Sequence, residues 1–285
     1  RSRPPRRTAR EPRHRASLTV IGYNATMLLT LLLACRTTMV SGADPGDNAR
    51  REYGDLLAEV VTDDGYVDYD ALEANRGPLD RYVAQLALDD NDVGKKAKHR
   101  HAYWLNAYNA LVLYQVLERG RPDSVLDVDG WIPKAGSGFF LETQFDVGGN
   151  YLSLSEIEHE RIRQMELDYR DHAAMNCASM SCPPLRNELY ATPKLQGQLR
   201  DQMRRWIMDD ERGVRIEGNT IVVSPVFEWF HRDFVFFSAG MNLCELAATY
   251  ATDNKRRALD VMADSGECTW RTFDYDWSLN DAAKR

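Results

Sequence analysis

The 285-residue sequence has few cysteines, five in all, and no excess of proline (11) or glycine (18). That composition excludes a scaffold held mainly by disulfides, and it excludes collagen-like and low-complexity chains. Positive charge is also short. Lys and Arg number 36 against 43 Asp and Glu, a net charge of -7, whereas binding nucleic acid through its phosphates needs the opposite balance. No Gly-x-Gly-x-x-Gly, Walker loop, His-Glu-x-x-His or Gly-x-Ser-x-Gly occurs, so dinucleotide, P-loop, zincin and serine-hydrolase chemistry lack their usual signatures. There is no internal repeat, heptad array or block of like charge in the body of the chain. What is present is 44% hydrophobic and 10% aromatic residues. A chain of this length with that content buries roughly 75% of its unfolded surface.

The first residues differ from the rest. Residues 1–15 hold seven arginines and one acid, Glu11, and an apolar stretch from Leu18 ends in Leu32-Leu33-Ala34-Cys35. A basic start, an apolar run and a small residue at its end form the pattern of a secretory leader. The last four residues are similar to a bacterial lipobox, which makes Cys35 the expected lipidation site. A single membrane anchor and plain cleaved secretion are the competing readings, and all three carry the body out of the cytoplasm. Residues 35–48 then read as a flexible tether and 49–285 as one domain. Without residues 1–34 the body is near -13, with 29 basic against 42 acidic residues. Such a surface is repelled by nucleic acid and by anionic headgroups. Membrane attachment is therefore expected through the lipidated leader only.

Within the body, apolar spacing predicts helices over 49–61, 79–88, 96–119, 153–165, 242–250 and 254–262. Another is expected to open at Thr192-Pro193, and a short one after Ser224-Pro225. Hairpins are expected around Gly148-Gly149 and around Glu217-Gly218-Asn219, with short strands near 65–69 and 271–276. Helices broken by small hairpins make an α+β class, a predominantly helical single domain with small antiparallel hairpins. In the 96–119 helix, Asn106 and Asn109 either brace backbone turns or line a site, because a buried amide without partners is costly. The pairs Tyr103/Trp104 and Trp229/Phe230 read as core.

Chemistry gathers in Asp171-His172-Ala173-Ala174-Met175-Asn176-Cys177-Ala178-Ser179-Met180-Ser181-Cys182-Pro183-Pro184. Three readings stand open. Cys177 and Cys182 form a disulfide, which an exported protein permits; or one of them is a thiolate served by His159 or His172; or both sulfurs and a histidine hold zinc. The four residues between the cysteines are at the loose end of zinc spacing, and no second such pair exists. No metal and no cofactor is therefore implied. On the preceding helix His159 and Arg163 are four apart and face one side. They repel mildly unless a carboxylate sits opposite. Glu158 should point about 100° away from His159 on a regular helix.

Several segments together resemble one family: Tyr103-Trp104-Leu105-Asn106-Ala107-Tyr108-Asn109, Leu152-Ser153-Leu154-Ser155-Glu156-Ile157-Glu158-His159, Asn176-Cys177-Ala178-Ser179-Met180-Ser181-Cys182-Pro183, Ser224-Pro225-Val226-Phe227-Glu228-Trp229-Phe230 to Phe234, and Tyr275-Asp276-Trp277-Ser278-Leu279-Asn280. The chain is similar over about 50–285 to the domain of unknown function 547, found in exported bacterial proteins and in plants. Glu228 departs from the lysine frequent in similar sequences, which sets position 228 outside the chemistry. The resemblance implies a shared pocket of Asn106, Asn109, Glu158, His159, Arg163, Asn176, Cys177, Ser179, Ser181, Cys182 and Asp233.

The expected function is a cysteine-dependent hydrolase or acyl transferase of the bacterial cell envelope, periplasmic and lipid-anchored, acting on an amide or ester of a small molecule or peptide. Cys177 would attack the carbonyl. His159 would be its base, with His172 second, and Glu158 or Asn176 would orient the imidazole. Asn106, Asn109 or the Ser179/Ser181 backbone would hold the oxyanion, and Arg163 a substrate carboxylate. The alternative is a noncatalytic lipoprotein domain that binds a ligand or peptide and is braced by a Cys177–Cys182 disulfide. Both need His159 and the 177–182 loop to meet in one hollow open to solvent.

Overall fold

A computed structural model describes residues 45–89 and 97–285; the leader and Cys35 lie outside the described residues. Helix α1 (Pro45–Val60) starts with proline in its first turn, where a missing N–H costs nothing, so the last residues assigned to the tether are already helical. Helices α2 (Tyr69–Ala74) and α3 (Gly77–Leu88) follow. The expected strand at 65–69 is reduced to single bridges from Val67 to Val61 and Asp281.

Helix α4 (Ala97–Glu118) is the spine of the domain. From Ala102 to Leu113 every residue is buried, as for a helix that crosses a core with no solvent face. Its polar residues pin the next stretch of chain. Asn106 Nδ2 donates to the Tyr190 carbonyl at 2.8 Å and its Oδ1 accepts the Tyr190 N–H at 2.9 Å. Asn109 does the same with the Ala174 carbonyl and the Asn176 N–H, each at 2.9 Å. The bracing reading of both amides is the one observed.

Strands β1 (Gln144–Val147) and β2 (Asn150–Ser153) form the first hairpin. Its two-residue turn, Gly148-Gly149, has φ of 59° and 75°, values that glycine supplies without strain and that match the twist of the strands. The helical segment that follows, from Leu154 to Glu166, is regular only at its ends, α5 (Leu154–Glu156) and α6 (Gln164–Glu166); between them Ile157–Arg163 is π-helical. A second π-helical turn, Gly138–Glu142, lies in the region that the sequence marks only as irregular. Helix α7 (Asp171–Ala174) leads into the cysteine loop, and α8 (Leu195–Met208) begins later than Thr192-Pro193 suggests, with Lys194 at its cap position.

Strands β3 (Val214–Glu217) and β4 (Thr220–Val223) make the second hairpin. Helices α9 (Val226–Trp229), α10 (His231–Phe237), α11 (Leu243–Tyr250) and α12 (Asp253–Asp264) come next. Strand β5 (Thr269–Thr272) then runs parallel to β4 and completes a mixed three-stranded sheet. It lies earlier than the expected 271–276, and its parallel pairing is a long-range choice that local alternation does not encode. A Cys244–Cys268 disulfide ties α11 to the approach of β5.

The fold is thus a predominantly helical single domain with small hairpins, and its apolar residues form two clusters. One surrounds α1 to α4, with Leu105 and Leu111 fully buried. The other surrounds α8, α11 and the three-stranded sheet, centred on Trp206, whose ring stacks on Phe227 at 4.4 Å. Among the described residues no helix is long and apolar enough to cross a membrane.

Candidate functional site

Ser153 fixes where the π-helical segment starts. Its hydroxyl accepts the Glu156 N–H at 3.2 Å while the Glu156 carboxylate accepts the Ser153 N–H at 2.7 Å, a reciprocal cap. Beyond it the helix widens into the i→i+5 winding often found at functional sites. On this widened turn Glu158 and His159 both line the same cavity.

The carboxylate opposite His159 and Arg163 is Asp233 of α10. Arg163 Nε donates to Asp233 Oδ2 at 2.8 Å, Arg163 donates to His159 Nδ1 at 2.9 Å, and the guanidinium lies 4.5 Å from the Phe230 ring centre. His172 Nε2 meets the same Asp233 oxygen at 2.9 Å, and its ring stacks on Phe230 at 4.2 Å. Burial works against the Asp233 charge, but the bonds from His172 and Arg163 outweigh it and hold the carboxyl at about 2. Burial is the main cause that lowers both imidazoles, His159 further through the Arg163 charge and His172 in spite of Asp233. Near neutral pH both rings are therefore uncharged, and Arg163 alone balances Asp233. Since Asp233 only accepts, the His172 proton sits on Nε2 and its Nδ1 is the basic nitrogen. His159 has the same tautomer, with its proton on Nε2, because Nδ1 accepts from Arg163 and is thereby occupied.

The cysteine loop is fixed from both sides. Asn176 Nδ2 donates to the Pro183 carbonyl at 2.8 Å, and its Oδ1 accepts from the Ala178 N–H at 2.9 Å and from Asn280 Nδ2 at 3.1 Å. Ala178 is held at φ 62°, a left-handed backbone that is unfavourable for a residue with a Cβ. The 275–281 segment lies along the loop. Met180 N–H donates to Ser278 O at 2.8 Å, Ser181 N–H to Asp276 O at 3.1 Å, and Asp276 N–H to Ser181 Oγ at 2.9 Å. Inside this frame the two sulfurs are close but unbonded. Both cysteines are free thiols, and the Cys177 N–H points at Cys182 Sγ at 2.8 Å. The disulfide observed joins Cys244 and Cys268 instead of the Cys177 and Cys182 expected on the disulfide reading.

Cys177 is the acidified member of the pair. Burial raises its pKa, but hydrogen bonds from Cys182, from Ser179 through hydroxyl and N–H, and from Tyr275 bring it down to about 7. Ser179 Oγ lies at 2.9 Å from the sulfur and Tyr275 OH at 3.3 Å. Cys182, almost fully buried beside that charge, is pushed well above an ordinary thiol. Burial also moves Glu158 up to about 7, with Arg163 opposing and the Cys177 charge adding to the rise.

These groups face a cavity of about 550 Å³ lined by Glu158, His159, His172, Cys177 and Cys182, with Lys134 among its lining residues. Both apolar clusters contribute, Tyr108 and Met175 from one, Val226 and Phe230 from the other. One wall is aromatic. Trp229 stacks on Trp277 at 5.6 Å, Tyr275 packs against Trp277 at 4.5 Å, and Trp229 is 48% exposed, so it is a cavity wall and not core. Tyr103 and Trp104 are buried as expected.

Asn106, Asn109, Asn176, Arg163, Asp233, Ser179 and Ser181 are not among the lining residues. The three asparagines each donate an amide N–H to backbone and stand behind the cavity wall, holding the chain around it. Arg163 is engaged by Asp233. No hydrogen bond joins Cys177 to either imidazole among the described residues. Tyr275, Trp277 and Lys134 were not among the expected site residues. Tyr275 and Trp277 stand in the last of the family-like segments, where their spacing gives no sign that the chain returns to Cys177. Among the described residues no group of three or more His, Cys, Asp or Glu is placed to hold a metal ion.

Residues 94–207 match the family model described as "Protein of unknown function, DUF547". The match is narrower than the resemblance over 50–285. It takes in α4, the π-helical segment and the cysteine loop, and it stops before Asp233 and the Tyr275–Trp277 wall. No curated protein and no solved structure matches the chain.

The sulfur's hydrogen bonds generate a pH test. In the full chain carrying Cys35→Ser, alkylation of Cys177 by iodoacetamide should rise with pH to a half-maximal rate near 7. Ser179→Ala with Tyr275→Phe removes donors to the thiolate, so the midpoint should move up by about 1 unit. An unmoved midpoint would show that these hydroxyls do not hold the charge.

Proposed function

We propose that the domain is an extracytoplasmic binding module whose cavity takes a small molecule or a peptide side chain with an apolar face. The observation that carries this reading is the cavity itself, about 550 Å³, walled by Trp229, Tyr275 and Trp277 and with a few polar groups at one end. That size and that mixture of apolar wall and convergent polar groups are typical of ligand sites. Arg163 and Asp233 behind it neutralise each other, so the aromatic wall, with Lys134 as a cationic group in the lining, favours a ligand with an apolar face. The test uses anilinonaphthalene sulfonate as the probe. The folded chain should bind about one equivalent saturably, and Trp229→Ala should weaken binding roughly tenfold, the loss of one aromatic contact. Unsaturable or Trp229-independent binding would remove the reading.

Compartment follows from the same proposal. The Cys244–Cys268 disulfide supports an oxidising environment, since such bonds are rare in the cytoplasm. We place the domain in the bacterial cell envelope, held by lipid on Cys35. Metabolic labelling with a radioactive fatty acid should mark the expressed protein and not its Cys35→Ser variant; equal labelling of both would discard the anchor.

A second reading, acyl transfer by Cys177, is favoured by the placing of its sulfur in the cavity wall with Ser179 Oγ at 2.9 Å and Tyr275 OH at 3.3 Å, contacts that lower its thiol. On this reading the base is His172 Nδ1 or Glu158, because His159 has its Nδ1 taken by Arg163. The Ser179 N–H, aimed at the sulfur, is the nearest oxyanion donor. Incubation with p-nitrophenyl acetate should then give a nitrophenolate burst of one equivalent and an acetyl group on Cys177, both lost in Cys177→Ser. If the released nitrophenolate is the same with and without Cys177, acyl transfer is discarded.

A further inference from the structure

We propose that Cys177 and Cys182 are the attacking and resolving thiols of a dithiol that reduces disulfides docked in the cavity. The inference rests on the binding reading to the extent that the cavity must admit the substrate; it adds a redox step to it.

The geometry divides the labour between the two sulfurs. Cys177 is half-buried on the cavity surface, so an incoming disulfide can reach it, whereas Cys182 is only 4% exposed. The Cys177 N–H at 2.8 Å from Cys182 Sγ holds the second sulfur against the backbone of the first. Asn176 and the 275–281 segment keep the loop in that form, so the resolving sulfur needs no large chain movement to reach its partner. Ser179 Oγ and Tyr275 OH face the attacking sulfur and stabilise its charge. Cys244 and Cys268 are already joined, leaving these two as the free thiols among the described residues. The electrostatics agree with this division, since the donors around Cys177 favour its thiolate while burial keeps the Cys182 proton in place. A reactive thiolate beside a protonated partner is what sequential exchange requires.

The Cys177 thiolate forms a bond to one sulfur of R–S–S–R′, the substrate S–S bond breaks, and its electron pair leaves as R′S⁻. Cys182 gives its proton to that thiolate, making R′SH. The Cys182 sulfur then attacks Cys177 Sγ, forming the Cys177–Cys182 bond and releasing RS⁻. The substrate has gained two electrons and the pair has become a disulfide, which a small dithiol reductant returns to the starting state.

The experiment uses the full chain with Cys35→Ser, so that the pair is the only source of thiols. The probe is 5,5′-dithiobis(2-nitrobenzoate), an aromatic disulfide, added without other reductant. The wild-type pair should release two equivalents of thionitrobenzoate and end, by peptide mapping, with Cys177 bonded to Cys182 and no adduct. Cys182→Ser, which keeps a polar atom against the Cys177 N–H, should release one equivalent and keep the probe on Cys177. Cys177→Ser should react at least about tenfold more slowly, through the shielded sulfur. A pair that stops at one equivalent with a stable adduct, or a Cys177→Ser variant that reacts as fast as the wild-type pair, would overturn the proposal. The wild-type stoichiometry alone decides should Cys182→Ser fail to fold. Dye binding measured on the same sample separates the two ideas: binding with exchange arrested at one equivalent removes only the redox step, and full exchange without dye binding removes only the binding module.

Discussion

The side-chain amide of Asn176 is the contact on which the site depends. It closes the 176–183 loop through Pro183, accepts the Ala178 N–H, and takes the Asn280 amide from the far end of the domain. Three neutral hydrogen bonds contribute about 1 kcal/mol each, and the left-handed Ala178 costs about 1–2 kcal/mol. The balance is slightly favourable, so one buried residue sustains a backbone that a non-glycine residue would otherwise leave. That backbone is what aims both the hydroxyl and the N–H of Ser179 at Cys177.

Charge in the site is arranged in two separate compartments. Arg163, Asp233 and the two imidazoles form a closed set in which each polar group answers another. Cys177 belongs to a different set, answered by hydroxyls and a thiol rather than by an imidazolium. Hydroxyl donors stabilise a thiolate without supplying a proton carrier, which distinguishes this sulfur from one activated by histidine. Glu158 stands between the sets, moved up by burial and by the Cys177 charge and down by Arg163.

Much of this was legible in the sequence because it is local. The α4 periodicity, the Ser153–Glu156 cap and the Gly148-Gly149 turn all depend on residues within a turn of one another. The unusual density of Asn, Ser and Cys at 176–182 also marked the right loop. What escaped the reading is non-local. The Cys244–Cys268 pairing spans 24 residues. The parallel docking of β5, the return of Tyr275 to Cys177 and the carboxylate that Asp233 brings to Arg163 depend on tertiary packing. The π-helical winding of Ile157–Arg163 is likewise not carried by an apolar period read at 3.6 residues per turn. Trp229 was taken for core because apolar spacing does not tell a cavity wall from an interior.

The 275–281 segment also carries a consequence for biogenesis. Tyr275 is 98 residues downstream of the sulfur it contacts. While the chain is being synthesised, Cys177 lacks that phenol and the backbone clamp around it, and behaves as an ordinary, weakly ionised thiol. The hydrogen bonds around the sulfur are complete only when residues 275–281 lie over the loop, after Cys244 and Cys268 have both emerged. The order of the chain thus makes the surroundings of Cys177 among the last to form.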